Sequence, residues 1–198
     1  KGLGAPINEE EAIEYYLRAI EKGNEKAMYK YGLYLIEQKQ EETKGIQFIK
    51  NSVNKGYSKA FYYYYNIIKD SDEEESMKYL KEAALKGHTE AMYQYGLKLQ
   101  NYKENIESLE ESFLFLNKAS SKCHIDAIYQ YGLLLSTQNK VRYNLEESAR
   151  NIRIAANLGH TEAIVKYGLM LLFGEGVNID KEEAIKYFKI AADKGNID

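Results

Sequence analysis

One unit of about 35 residues recurs five times along the chain. In each copy a residue that ends a helix stands four positions before an alanine, at the pairs Gly23/Ala27, Gly56/Ala60, Gly87/Ala91, Cys123/Ala127 and Gly159/Ala163. Successive alanines are 33, 31, 36 and 36 residues apart. Such a period is typical of repeat proteins, in which each unit buries its apolar face only against its neighbours.

The unit is clearest in residues 161–196, which predict two helices joined by a glycine-rich loop. Apolar residues at helical spacing mark the first helix, called helix A, which Gly174 and Gly176 end because glycine adopts backbone angles that other residues resist. Asp180 is suited to cap the second helix, called helix B. Gly195 stands where a glycine is favoured after a helix. Each repeat is therefore predicted to be a helical hairpin.

The same pattern predicts helices along the whole chain. A leading helix B covers about 9–22, and A/B pairs follow at about 24–37 and 43–55, 58–69 and 73–86, 89–100 and 106–122, 125–137 and 145–158, and 161–173 and 181–194. In helix B, small residues recur four and eleven positions before the stop residue, with a bulky one seven before it. Positions seven apart share a helix face, so neighbouring helices are expected to approach closely there.

These features resemble the Sel1-like repeat family, which is related to the tetratricopeptide repeats. The resemblance is carried by Ala163, the pair Tyr167-Gly168, the loop Gly174-Glu175-Gly176-Val177 with Asp180, and the series Ala184, Phe188, Ala191, Ala192 and Gly195. It implies an all-α fold, a right-handed α-solenoid of antiparallel helix hairpins. We expect a single solenoid over 1–198, with a leading half repeat and repeats at about 24–56, 57–87, 88–123, 124–159 and 160–195.

Helix A departs from the family pattern, which usually has leucine before the glycine. This chain has tyrosine at that position, at Tyr31, Tyr64, Tyr95, Tyr131 and Tyr167. A tyrosine in a helix seam must place its hydroxyl with a partner or at the edge. In the second repeat Tyr65 replaces the glycine itself, so we expect that repeat to pack more loosely or to twist.

Composition argues against several classes of function. The net charge is −3 at pH 7, whereas proteins that bind nucleic acid usually carry a basic excess. No apolar run approaches the roughly 20 residues that cross a bilayer, so no membrane insertion is expected. Cys123 is the one cysteine, and the cysteine pairs of some secreted relatives are missing. A reducing, cytoplasmic location is therefore expected.

Neither a metal centre nor an active site is indicated. His88, His124 and His160 each follow a stop residue. Equivalent positions in helices about 8–10 Å apart should not converge on one metal ion, so we interpret these histidines as helix-start residues copied with the repeat. Cys123 replaces a stop glycine, and adjacency to His124 does not orient a base towards it. We find no convergent catalytic set and expect a protein that is not an enzyme and binds no cofactor.

A row of aromatic residues is the candidate binding surface. Two positions after the helix A alanines stand Tyr29, Tyr62, Tyr93 and Tyr129, here called the tyrosine ladder, and Val165 takes that position in the last repeat. Its polar neighbours, one residue further on, include Gln94, Gln130 and Lys166. In the tetratricopeptide relatives the matching position faces the concave surface. Packing alone would also explain these tyrosines, since the family often has an aromatic residue there.

The function expected from these features is a scaffold or adaptor that binds a protein or an extended peptide on the concave surface. The alternative is a regulatory or substrate-recognition segment of a larger enzyme. Gly2, Gly4 and Asn8 match Gly174, Gly176 and Asp180, so the chain is expected to begin inside a repeat. Because repeat arrays need polar terminal caps and neither end has one, we expect a fragment of a longer array that self-associates end to end.

Overall fold

A computed structural model describes residues 9–38, 41–102, 105–137 and 143–195. Within these ranges the chain forms eleven α-helices and a short 3-10 helix at Gln100–Tyr102, without strands, which confirms the all-α hairpin fold. The helices are α1 (Glu9–Glu21), α2 (Glu25–Glu37), α3 (Glu42–Asn54), α4 (Ser58–Ile68), α5 (Glu73–Leu85), α6 (Thr89–Leu99), α7 (Ile106–Ser120), α8 (Ile125–Ser136), α9 (Leu145–Asn157), α10 (Thr161–Phe173) and α11 (Lys181–Asp193). The loop predicted at Gly2, Gly4 and Asn8 lies outside the described residues.

The helices form two compact units, one within residues 1–88 and the other within residues 89–198. In the first unit α2 packs on α3 and α4 on α5, and α3 joins the two hairpins through α4. In the second unit the hairpins are α6/α7, α8/α9 and α10/α11, with α7 packed on α8 and α9 on α10. Each hairpin is thus an A/B pair of the predicted repeat.

Each helix B that leads into another described helix A ends on a residue in the left-handed backbone region. The stop glycines have positive φ, as in Gly87 at 87° and Gly159 at 93°, and Cys123 takes the same conformation at 62°. The next residue's backbone N–H then reaches back to the small residue of helix B, as from His124 to the Ala119 carbonyl at 3.2 Å. Cys123 therefore adopts the left-handed backbone conformation of the glycine that it replaces, as predicted.

The two helices of a hairpin touch at the helix A glycine. A Cβ atom on Gly132 would lie 2.8 Å from Ile152 Cγ1, and one on Gly168 would lie 2.6 Å from Phe188 Cε1. Both distances are shorter than side-chain contacts allow. The bulky helix B residue, seven positions before the stop, therefore occupies the space that a helix A side chain would need.

Buried serines link the same helices by hydrogen bonds. Ser112 Oγ donates to the Gly96 carbonyl oxygen at 2.7 Å, and Ser148 Oγ donates to that of Gly132 at 2.7 Å. Both serines are fully buried, so the bonds satisfy hydroxyls that would otherwise be costly to desolvate. The small residues of helix B thus permit the close approach of helix A, and their hydroxyls stabilise it by hydrogen bonds.

The second repeat lacks this link. Tyr65, which takes the glycine position, is buried at 4% exposure, with its ring 6.0 Å from that of Tyr62. Ser76 Oγ donates instead to the Glu73 carbonyl oxygen in its own helix, at 2.9 Å. The hydroxyl that joins helix B to helix A in the third and fourth repeats is therefore not used between helices here.

The tyrosines before the glycine are buried, and two of them have the expected partner. Tyr95 hydroxyl donates to Glu111 Oε2 at 3.1 Å, and Tyr131 hydroxyl donates to Glu147 Oε1 at 3.1 Å. Each bond again joins helix A to helix B of one repeat, so the ring fills the seam while the hydroxyl reaches a carboxylate at its edge.

Leucine at Gly132 should destabilise the chain. The new side chain would overlap Ile152, and overpacking of this kind costs about 1–3 kcal/mol. The free energy of unfolding, measured in urea, is expected to fall by that amount. Glu110→Leu, on the exposed side of α7, is the control and should change little. A melting temperature equal to that of the parent would show that Gly132 does not lie at a contact.

Candidate functional site

The four ladder tyrosines are partly buried and partly open to solvent. Tyr29 on α2 and Tyr62 on α4 belong to the first unit, and Tyr93 on α6 and Tyr129 on α8 belong to the second. None of the four reaches the burial of Tyr95 or Tyr131, which are each 4% exposed. Packing therefore uses only part of each ladder ring.

Each ladder ring lies against the residue that follows the next stop. The ring centroids are 4.5 Å apart for Tyr62 and His88, 4.6 Å for Tyr93 and His124, and 4.3 Å for Tyr129 and His160. In the first repeat Tyr57 takes the place of the histidine, with its centroid 5.3 Å from that of Tyr29. Sequence reasoning missed these pairs, although the recurrence of an aromatic residue after the stop was a visible signal.

His124 and His160 also cap helices, as expected of helix-start residues. His124 Nδ1 accepts the backbone N–H of Ala127 at 3.2 Å, and His160 Nδ1 accepts that of Ala163 at 3.2 Å. Because Nδ1 of His124 accepts, its hydrogen is on Nε2, which donates to Glu90 Oε2 at 2.8 Å. The cap and the carboxylate hold the His124 ring from both sides, so the ring is a fixed support for Tyr93.

Burial and nearby carboxylates raise the pKa of Tyr93 and Tyr129 above the ordinary value of a tyrosine. Burial raises the pKa of Tyr93, and the negative charges of Asp126, Glu90 and Glu162 raise it further. Burial also raises the pKa of Tyr129, with a further contribution from Glu162. Both phenols are therefore hydrogen-bond donors near neutral pH, and both lie in a negative electrostatic field.

The polar residues predicted beside the ladder have different surroundings. Gln94 Nε2 donates to Glu90 Oε1 at 2.9 Å, so this amide joins the group around Tyr93 and His124. Gln130 is half-buried beside Tyr129 in the sequence of α8. Lys166 Nζ instead pairs with Glu175 Oε2 at 3.0 Å, which draws it towards the loop after α10.

The described residues form neither of two other kinds of site. Among the residues that the structure describes, no group of three or more His, Cys, Asp or Glu side chains is placed to hold a metal ion. No helix in the described ranges has both the length and the apolar character needed to cross a membrane. The described geometry is that of a helical-repeat protein in which each unit carries supported, partly exposed aromatic rings.

The chain belongs to the Sel1 repeat family. The family model matches residues 1–24, 66–88, 125–160 and 161–196, which together make up more than half of the sequence. Sel1 repeat proteins generally mediate protein–protein interactions. A comparison with curated proteins finds no significant match.

Solved structures share the fold at low sequence identity. A protective antigen of uropathogenic Escherichia coli with an SLR fold matches 93% of this chain at 22% identity, with a TM-score of 0.78. A Sel1 repeat protein from Oxalobacter formigenes matches 93% of it at 19% identity, with a TM-score of 0.73. The match covers 41% of the antigen's own chain and 78% of the Oxalobacter chain.

Two substitutions at His124 should separate the stability contributed by its helix cap from that contributed by its stacking on Tyr93. Asparagine can still cap the helix, as Asn24 does for Ala27 at 2.8 Å, but it removes the ring beneath Tyr93. His124→Asn should cost about 0.5–1.5 kcal/mol of unfolding free energy, the usual value of an aromatic pair. His124→Ala should cost about 0.5–2 kcal/mol more because the cap is also lost. Equal urea midpoints for the two variants would mean that the cap contributes nothing.

Proposed function

We propose that the chain is a scaffold or adaptor that binds a protein or an extended peptide segment through the tyrosine ladder. Tyr93 and Tyr129 form the centre of this surface, which the resemblance to tetratricopeptide repeats assigns to the concave side. The proposal rests on one observation: the ladder rings are supported by the aromatic rings they contact, yet part of each ring remains open to solvent.

Rigid, partly exposed tyrosines are well suited to recognition. Binding energy at protein interfaces is concentrated in a few side chains, often aromatic ones, on a fixed surface. Tyrosine offers a large face and loses little conformational entropy on binding. Both hydroxyls are protonated near neutral pH, as ordinary tyrosine hydroxyls are, so each can donate to a carbonyl oxygen of an extended peptide.

The neighbouring polar groups support a peptide ligand. Gln130 offers both an amide donor and a carbonyl acceptor, as a peptide backbone does. Three residues before the ladder position stand Glu90, Asp126 and Glu162 in the second unit, and Lys26 and Lys59 in the first. The ladder tyrosines of the first unit therefore lie near basic residues in the sequence, and those of the second unit near acidic residues.

The family, the charge and the cysteine content of the chain are compatible with this function. Sel1 repeats generally mediate interactions between proteins. The net negative charge of the chain disfavours nucleic-acid binding. The single cysteine favours a reducing, cytoplasmic location. The second candidate, a regulatory or substrate-recognition segment of a larger enzyme, would use the same ladder to hold a substrate protein.

The end of the second unit offers a further contact, for another copy of the chain. Phe113 on α7 and Ala149 on α9 are 4% and 1% exposed, because the next helix A covers that position. Ile185, the equivalent residue on α11, is 53% exposed. This apolar face supports end-to-end self-association.

Ile185→Glu should weaken that self-association. A buried carboxylate at an apolar contact is costly, so the oligomeric fraction should fall in sedimentation at high protein concentration. Leu114→Glu, at a residue 49% exposed on α7, is the control and should leave the fraction unchanged. A parent protein that stays monomeric at every concentration would contradict the proposed contact.

The ladder is tested with peptides selected from a random library on this chain. Changing both Tyr93 and Tyr129 to alanine should raise the dissociation constants of these peptides at least tenfold, since hot-spot residues cost about 2 kcal/mol or more each. The same double change should cost less unfolding free energy than alanine at Tyr95 and Tyr131, whose rings are buried.

The matched control removes two tyrosines from elsewhere. Tyr15 and Tyr143 are 60% and 51% exposed and lie outside the ladder. Their double change to alanine should leave the dissociation constants within about twofold of the parent, far from the tenfold loss expected at a hot spot. Equal affinity of all three proteins for the selected peptides would exclude the ladder as the binding surface.

A further inference from the structure

A pocket in the second unit contains none of the ladder tyrosines. It is a pocket of about 530 Å³ between helix α9 and the loop that follows α10. Arg150 and Arg153 line one wall, Tyr167 lines the pocket from α10, and Gly174, Gly176 and Asn178 belong to the loop wall. The chain has four arginines, and two of them face this pocket.

The pocket exists because the loop lies directly on the preceding repeat. Gly176 has a φ of 71°, and a Cβ atom there would overlap the carbonyl oxygen of Leu145 at the start of α9. Only glycine permits this approach. The loop therefore meets α9 at its N-terminal end and leaves a cleft beside the two arginines, which lie about one and two turns further along the helix.

The arginines are not neutralised by the residues described around them. Neither guanidinium forms an ion pair with a described carboxylate, although Glu146 stands at the i−4 position of Arg150 and also lines the pocket. The loop's own carboxylate is engaged elsewhere, since Glu175 pairs with Lys166 Nζ at 3.0 Å. Two guanidinium groups thus outnumber the one carboxylate of the lining.

Tyr167 departs here from the rule of the other repeats in this unit. Tyr95 and Tyr131 donate their hydroxyls to Glu111 and Glu147 of their own helix B. Tyr167 has Glu183 at the equivalent place, yet no such bond is formed among the described residues. Burial raises the pKa of Tyr167, and the neighbouring Arg153 guanidinium opposes that rise. Its phenol is therefore close to the arginine wall.

The loop adds backbone donors to the same lining. The backbone N–H groups of Gly174 and Glu175 both donate to the Met170 carbonyl oxygen. Those of Gly176, Val177 and Asn178 donate to no acceptor in the described part of the chain.

The preceding repeat does not repeat this wall, because Leu114 and Asn117 stand where Arg150 and Arg153 stand in α9. The pair of arginines is thus not shared with the preceding repeat.

We propose that this pocket binds an oxyanion, a carboxylate or a phosphate group, between the guanidinium groups of Arg150 and Arg153 and the Gly174–Asn178 loop. The planar guanidinium group donates two parallel hydrogen bonds to such a group, which makes arginine the preferred side chain for it. The Tyr167 hydroxyl and the unpaired loop amides supply further donors. The site is independent of the ladder, and its failure would leave the peptide-binding proposal unaffected.

The test is an NMR titration of the whole chain with inorganic phosphate and, separately, with glutarate, each against sodium chloride at equal ionic strength. The arginine Nε–H signals of Arg150 and Arg153 and the loop amides should shift and saturate, with half-saturation at about 1 mM or below. Saturation by phosphate alone or by glutarate alone identifies the preferred oxyanion. Shifts that stay linear, or that chloride reproduces, would overturn the proposal.

Charge-matched variants separate a built site from general attraction. Arg150→Gln and Arg153→Gln should each weaken binding of the preferred probe at least tenfold. Lys186→Gln and Lys189→Gln remove the same charge at the equivalent positions of α11, both exposed, and should leave binding within twofold. Equal weakening by the lysine and arginine variants would show screening of the net charge alone, and the proposal would then fail.

Discussion

The structure depends on the contact between the helix A glycine and helix B. Where the glycine is present, the bulky helix B residue occupies the space of the missing side chain, and a serine hydroxyl bonds the glycine carbonyl in the third and fourth repeats. Burial of this apolar surface supplies the main stabilisation, while the hydrogen bond fixes the register of the two helices. Since each repeat meets only its neighbours, this contact is made anew in each hairpin that has the glycine.

The contact between helix A and helix B uses only the faces that these helices turn towards each other. The other helix faces remain available for recognition. The tyrosines next to the glycine are buried between the two helices of their repeat. The ladder tyrosines Tyr62, Tyr93 and Tyr129, two positions earlier, are supported from the next repeat by His88, His124 and His160. The same histidines that begin a helix thus hold a ladder ring in place. Beside Arg150 and Arg153, helix α9 and the loop after α10 form a pocket of different chemistry.

Local features were predictable from the sequence because they depend on neighbouring residues. The predicted helix 161–173 matches α10 at both ends, whereas the one predicted to end at 122 ends at Ser120, where the turn before Cys123 begins. The stacking of Tyr93 on His124 was not predicted, because it requires the spacing between successive hairpins. The Arg150 pocket was missed for a similar reason: it depends on how closely the loop at Gly176 approaches α9, which helical periodicity does not encode.

A crystal structure of this chain with a library-selected peptide tests the central claim, that supported ladder tyrosines form the binding surface. The account predicts an extended peptide lying across the rings of Tyr93 and Tyr129, with their hydroxyls donating to its carbonyl oxygens. His124 and His160 should keep their caps, because the surface is already formed before binding. A peptide seated on the outer faces of α7 and α9, with both tyrosines as exposed as in the free protein, would contradict it.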